Sequence, residues 1–164
     1  MKVISFRQSL PISDPESFLD LSADKPASRV HDLLIEIRAI GINPVDAKIR
    51  AGGGPGGPSD DRTILGWDAA GLVRAIGPAV TLFAPGDEVF YAGSVDRPGC
   101  YAEFQCVDAR IVGRKPRSVG FAESARDSQR PDDVGEPSRF ARFSGGEPLG
   151  PASGHGGQMQ LNAL

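Results

Sequence analysis

Stretches of strict alternation, each broken off by glycine or proline, constrain this chain more than any other feature. In "LLIEIRAI" (33–40), Leu33, Ile35, Ile37 and Ala39 fall on one side and Leu34, Glu36, Arg38 and Ile40 on the other. A period of two is that of a half-buried β-strand. "MKVISFRQSL" at the start and "CYAEFQCVDARIVG" (100–113) alternate in the same way. "AAGLVRAIG" (69–77) reads as a strand whose small residues let backbones approach closely. "APGDEVFYAG" (84–93) enters its strand through Pro85–Gly86, a type II turn pair. Gly (21) and Pro (14) make up about a fifth of the 164 residues, a punctuation that suits short strands rather than a helical bundle. The expected class is mainly β: a small, partly open barrel with one or two short helices.

The helical exception is "GINPVDAKIRAGG" (41–53). Asn43 is a favoured N-cap, because its side-chain oxygen accepts from free N–H groups of the first turn. Pro44 suits the first helical position, where a missing N–H costs nothing. Gly52 and Gly53 then end a helix expected over 44–51. These residues support two readings, a helix start and the rim of a catalytic pocket. "AGGGPGGPSDD" (51–61) follows as an expected mobile loop, since nothing in it can pack.

Other classes fall away on composition. A net charge of −3 and a pI near 5.4 give no electrostatic case for nucleic acid. No apolar run approaches the length of a membrane span, and the N-terminus lacks the apolar stretch of a signal peptide. The expectation is a soluble, cytoplasmic protein. Cys100 and Cys106 lie at an even offset on what reads as one strand, facing the same way but too far apart for a disulfide. With only His31 and His155 to add, they read as reduced structural thiols rather than a zinc site. "GGGPGGP" lacks the GK[ST] ending of a phosphate-binding loop, and its prolines remove amide donors. No G-x-S-x-G elbow and no HExxH is present.

After Glu123 the character changes. "RDSQRPDDVGEPSRFARFSGGEPLGPASGHGGQMQLNAL" has no sustained period and is dense in Pro, Gly, Ser and charge. Its scattered Val134, Phe140, Phe143 and Leu149 offer little apolar area against the entropy of ordering. The region 124–164 is therefore expected to be a largely disordered tail, with a short element docked on the barrel as the alternative.

"LGWDAAGLVRAIG" (65–77) places Trp67 and Asp68 between Gly66 and a small-residue strand. Trp67 can plug one end of the barrel and Asp68 can cap a turn. Equally, an acid beside the only Trp suggests a site. Taken in order, "AIGINPVDAKIRAG", "LGWDAAGLVRAIG", "PGDEVFYAG" and "CYAEFQCVDARIVGRKP" resemble the N-terminal, GroES-like domain of medium-chain dehydrogenases/reductases. The likeness is strongest to the zinc-independent quinone-oxidoreductase branch, whose members are often named zinc-type alcohol dehydrogenase-like proteins. It runs from Met1 to about Glu123, about three quarters of the chain.

The resemblance implies a domain at 1–123 and the following roles. In zinc alcohol dehydrogenases the position matching Asn43 is a cysteine ligand, and that matching Trp67 is a histidine ligand within GHE, here Gly66–Trp67–Asp68. Neither Asn nor Trp replaces a thiolate or imidazole on zinc, so no catalytic zinc is expected. The four-cysteine zinc lobe is missing too, with one cysteine near "AGSVDRPGC". By analogy with the quinone-reductase branch, Asn43 contacts the nicotinamide and donates to the substrate oxygen on which charge develops. Asp46 and Asp68 support that loop from behind, and Trp67 and Tyr91 wall the pocket. The cofactor is NADPH or NADH, and the substrate a small quinone, enone or related carbonyl compound. No nucleic acid or membrane partner is implied.

In this family a Rossmann domain holds most of the cofactor, and 124–164 does not read as its start. "FAESA" (121–125) matches the connection to it; "RDSQRPDD" does not. The expectation is an out-of-frame or divergent ending on a truncated gene, leaving the isolated chain inactive. The alternative is a non-catalytic β-barrel module for binding or oligomerisation, or an inactive remnant. Apolar surface left bare by a missing domain would then drive self-association.

Overall fold

The computed structural model describes residues 1–52, 63–126 and the backbone of 158–159. Two sheets carry the fold. The smaller has β1 (Lys2–Phe6) at its centre, flanked by β2 (Leu19–Ser22) and β4 (Thr63–Ile64). The larger contains β3 (Asp32–Gly41), β5 (Asp68–Ile76), β6 (Glu88–Ala92), β7 (Phe104–Asp108) and β8 (Val112–Arg114), ordered β7-β3-β5-β6-β8. A two-residue strand, β9 (Gln158–Met159), pairs with the end of β3. Every pairing is antiparallel. A bridge from Val3 to Ala102 and the Ile4 N–H donating to the Tyr101 carbonyl at 2.8 Å tie the sheets together. The expected mainly β, partly open architecture is what forms, and among the described residues it carries two short helices, α1 (Pro44–Arg50) and α2 (Phe121–Arg126).

The main core is built from inward residues of the large sheet, among them Leu33, Ile35, Ile37, Ile40, Ala69, Val73, Val89, Tyr91, Val107 and Val112. The simple alternation expected along β3 fails at one place. Ile37 pairs with Gly71 and Ala39 with Ala70, so Arg38 is an extra residue in the ladder. Such a bulge shifts the following side chains to the opposite face. Ile40 therefore joins the main core, while Ala39 packs with Ala70, Phe90 and Ala125 beneath α2. A second core, Phe6, Ile49, Leu65 and Trp67, fastens α1 to the smaller sheet.

Local signals held elsewhere. Pro44 opens α1, Gly52 follows it at φ +90°, and Gly86 takes φ +98° in the turn before β6. The cysteine reading needs correction. Cys100 lies in the segment before β7 and belongs to the main core, while Cys106 sits half-buried on β7; both are free thiols, but they share no strand. The polar region expected from residue 124 onward contributes the end of α2, with Ser124 and Ala125 buried, and the backbone of β9. The expected loop at 51–61 lies outside the described residues beyond Gly52, as does most of 124–164. Among the described residues no helix is long and apolar enough to cross a membrane.

Candidate functional site

The turn after β3 brings Asn43 to the start of α1 with an extended backbone, φ −123° and ψ 158°. The Asp46 carboxylate accepts from the Asn43 N–H at 2.7 Å, and the Asp46 N–H returns to the Asn43 carbonyl at 3.0 Å. This reciprocal arrangement fixes the first turn, as a capping box does. The Asn43 side-chain amide donates sideways, across to the Asp68 carboxylate on β5. An amide carries two N–H donors, so this bond orients the group and leaves its second donor uncommitted to Asp68. Gly41, opposite Asp68 in the ladder, makes the approach possible. A Cβ there would stand 2.6 Å from the Ala125 carbonyl oxygen and 3.2 Å from the Asp68 Cβ.

Both carboxylates are deeply buried, Asp46 at 4% exposure and Asp68 at 1%. Burial holds the Asp46 pKa above the ordinary value. The N–H groups of Asn43 and Gly66 and the Tyr101 hydroxyl pull it back less strongly. One Asp46 oxygen, Oδ1, is buried without a hydrogen-bond partner. Tyr101 and Cys100 feel the same surroundings. Burial raises both, and the nearby charges of Asp46 and Asp68 raise them further. A thiol so placed behaves as a small apolar group rather than a nucleophile. Its Sγ lies 3.6 Å from the Asp68 carbonyl oxygen.

Gly66 is the corner of the arrangement. Its φ of +90° is the left-handed geometry natural to glycine. A Cβ would meet the Tyr101 ring at 2.4 Å and the Cys100 sulfur at 2.7 Å. This corner and the two residues before it pair closely with the segment before β7. The Gly99, Cys100 and Tyr101 N–H groups donate to Ile64, Gly66 and Leu65 carbonyls at 2.9, 2.7 and 2.9 Å.

Trp67 and Tyr91 occupy interior positions, with 4% and 2% exposure. The Trp67 indole donates to the Arg97 carbonyl at 3.3 Å, and the Tyr91 hydroxyl donates to Gln105 at 2.6 Å. Burial raises the Tyr91 pKa, with the nearby Cys100 and Asp68 adding to it. Both side chains thus back the site from the core. Sequence reasoning missed Tyr101, Gln105 and the pair Arg97–Asp32. Arg97 grips the buried Asp32 with two bonds, of 3.0 and 2.6 Å. Those bonds hold the Asp32 pKa below its ordinary value against the effect of burial. Gln105 donates to the Pro98 carbonyl at 2.8 Å, so 97–98 is pinned from two sides. The lone signal available in sequence was the Gly66–Trp67–Asp68 corner itself. Among the described residues, no three His, Cys, Asp or Glu side chains converge as a metal-binding set.

Comparison with known proteins places this geometry. The model of the alcohol dehydrogenase GroES-like domain matches residues 29–117. The chain belongs to that family. A zinc-type alcohol dehydrogenase-like protein of Staphylococcus aureus (strain COL) is 40% identical over 124 residues, covering 76% of this chain and 36% of the relative. Among solved structures, a proposed zinc-dependent alcohol dehydrogenase of Rhizobium etli CFN 42 is 52% identical, with a TM-score of 0.71 over 76% of this chain and 36% of its own. The quinone oxidoreductase of Coxiella burnetii is 30% identical, with a TM-score of 0.69 over 76% and 40%. That of Escherichia coli, solved with NADPH, is 28% identical, with a TM-score of 0.64 over 76% and 36%. This GroES-like chain therefore spans little more than a third of the length of these relatives.

Proposed function

We propose that this GroES-like domain is the substrate-side part of a zinc-independent, NAD(P)H-dependent oxidoreductase that reduces a quinone, enone or related carbonyl compound. The observation that carries the reading is the Asn43 side-chain amide, held on the buried Asp68 carboxylate and keeping a second N–H. Relatives that include quinone oxidoreductases support it. A nicotinamide cofactor, when bound, supplies the hydride. Asn43 then donates to the oxygen on which negative charge grows. The Asp68 carboxylate fixes the rotamer before the reaction, so little reorganisation is needed. Asp46 holds the Asn43 backbone, and the half-buried setting of Asn43 suits a flat ring beside it.

Zinc does not fit these residues. The position where the family carries a cysteine ligand is Asn43, whose amide is committed to Asp68. The histidine position is Trp67, packed among Phe6, Ile49 and Leu65.

The test is an NADPH titration of the full chain, read by Trp67 fluorescence and by the Asn43 side-chain amide signals in NMR. A simple quinone is then added and NADPH oxidation followed. Saturable binding that shifts the Asn43 amide, and is lost in Asn43→Ala, supports the reading. No saturable binding at millimolar NADPH removes catalytic competence from this chain and favours a non-catalytic barrel module.

A further inference from the structure

α2 is six residues long, and a helix of that length does not hold itself together in water. Its place therefore depends on what it docks against. It lies across β3, β5 and β6, but the apolar groups it offers are one ring and two methyls, those of Phe121, Ala122 and Ala125. The Glu123 carboxylate accepts from the Gly120 N–H at 2.9 Å, a bond that caps the helix start without reaching the sheet.

The reach to the sheet comes from Lys115, the residue after β8. Its ammonium donates to the Pro116 and Val119 carbonyls at 3.1 and 2.7 Å and pairs with the Glu88 carboxylate of β6 at 2.9 Å. Its three N–H donors are thus matched by three acceptors. The same nitrogen lies 5.2 Å from the centre of the Phe121 ring, within cation–π range. The side chain is 6% exposed, and a charge is tolerated at such burial when it is paired and hydrogen-bonded. A strand, a turn and the first residue of α2 converge on this one ammonium.

The other end of α2 stands behind the candidate site. A Cβ on Gly41 would lie 2.6 Å from the Ala125 carbonyl oxygen and 3.2 Å from the Asp68 Cβ. The helix and the strand that carries Asp68 therefore meet at the same point of β3. Asn43 follows just beyond that point, and its side-chain amide rests on Asp68. A helix that shifts on the sheet disturbs this junction first, because close-packed groups transmit strain.

We propose that Lys115 is a positioning residue: its ammonium seats α2 on the sheet, and the seated helix keeps Gly41 and Asp68 in the arrangement that orients the Asn43 amide. The seating rests on the contacts of Lys115 alone; its bearing on catalysis rests on the function proposed above.

Hydrogen exchange on the full chain, read by mass spectrometry, and the Asn43 side-chain amide signals in NMR test it. In Lys115→Ala the peptide covering 119–126 should exchange roughly tenfold faster or more, with 104–108 still protected, and the Asn43 signals should move. Added n-propylammonium supplies the part of the side chain that this variant lacks. It should reverse both changes, whereas n-propanol at matched ionic strength, which lacks the charge, should not. Lys115→Met keeps an unbranched stem without the charge; it should show the same losses and serves if the alanine variant fails to fold. Unchanged exchange of 119–126 in both variants overturns the proposal, as does equal rescue by the neutral alcohol. Faster exchange with unmoved Asn43 signals confines Lys115 to the helix and overturns its positioning role. NADPH titrations of the same samples judge the underlying reading separately. A chain that binds no NADPH, yet shows the exchange losses and the rescue, keeps Lys115 as the residue that positions the Asn43 amide and loses the oxidoreductase reading.

Discussion

Removing the guanidinium of Arg97 is the most informative single perturbation of this fold. Arg97→Met keeps most of the side-chain volume but strips both hydrogen bonds from Asp32, which is 3% exposed. Breaking a buried pair by deleting one partner costs about 3–5 kcal/mol, because the remaining charge stays buried and uncompensated. Arg97 is itself 24% exposed, which lets water reach the vacated space, so the lower end, about 3 kcal/mol, applies. For a folded unit of this size that corresponds to a fall in Tm of roughly 10 °C.

The pH dependence has a definite sign. In the unaltered chain the Asp32 pKa is depressed by Arg97. Its contribution is therefore present in full above the unfolded value, near 3.9, and is lost as pH falls through the lower folded value. In Arg97→Met that depression is largely lost, with burial opposed only by the N–H and charge of Arg29. The variant therefore lacks the stability that the unaltered chain gains as pH rises through that range. The stability gap between the two proteins should be widest at pH 7 and should narrow toward pH 4. Urea unfolding at the two pH values reads it directly. A loss below about 1 kcal/mol at pH 7, in the range of an exposed pair, refutes the argument. A gap that does not change with pH refutes it equally. Arg97→Lys, which keeps charge but not the two-pronged geometry, should fall between.

Gly66→Ala should cost about 2–4 kcal/mol, from left-handed strain and from overpacking against the Tyr101 ring; adding Tyr101→Leu should recover the packing part only, as urea midpoints will show. Asp46→Asn should gain stability relative to the unaltered chain as pH rises from 4 to 7. The reason is that a carboxyl whose folded pKa is raised contributes below its unfolded value and loses that contribution above it; paired denaturation curves at both pH values check this. A thiol reagent at pH 8 should modify Cys106 well before Cys100, whose pKa burial drives well up. Equal rates in the native protein, resolved by peptide mapping, would contradict the placement of Cys100 in the core.

What was legible in the sequence was local. Asn43–Pro44 marked a helix start because capping and proline chemistry act within a few residues. Pro85–Gly86 marked its turn because only glycine accepts φ +98° without strain. What escaped depended on partners far along the chain. The bulge at Arg38 exists only in register against β5, and it alone sends Ala39 and Ile40 to faces opposite to those the alternation implied. Asp32 and Arg97 are polar residues like many others until folding closes the 65 residues between them. Cys100 looked like a strand neighbour of Cys106 because the alternating pattern does not show that the chain leaves the sheet before Phe104. The two-residue pairing at Gln158–Met159 lay in a stretch whose composition argues against a packed core, and the edge it meets is visible only once β7 is seen to stop short.

The helix-cap and pocket readings of Asn43 turn out to use different atoms of one residue. Its backbone N–H and carbonyl serve α1 through Asp46, while its side-chain amide crosses to Asp68. A cap alone would need no buried acid on the neighbouring strand, and a short polar side chain would suffice. Holding a carboxylate at 1% exposure is costly unless it is hydrogen-bonded, and the Asn43 amide is one group that bonds it. The two roles can be separated by experiment. Asn43→Ser keeps the backbone bonds with Asp46 and a residue type favoured at the cap, so helix stability should change by only a few tenths of a kcal/mol. It shortens the donor and detaches it from Asp68, so any ligand that depends on the oriented amide should lose affinity while the fold stands. If stability and ligand affinity instead fell together, the amide would be part of the scaffold and nothing more.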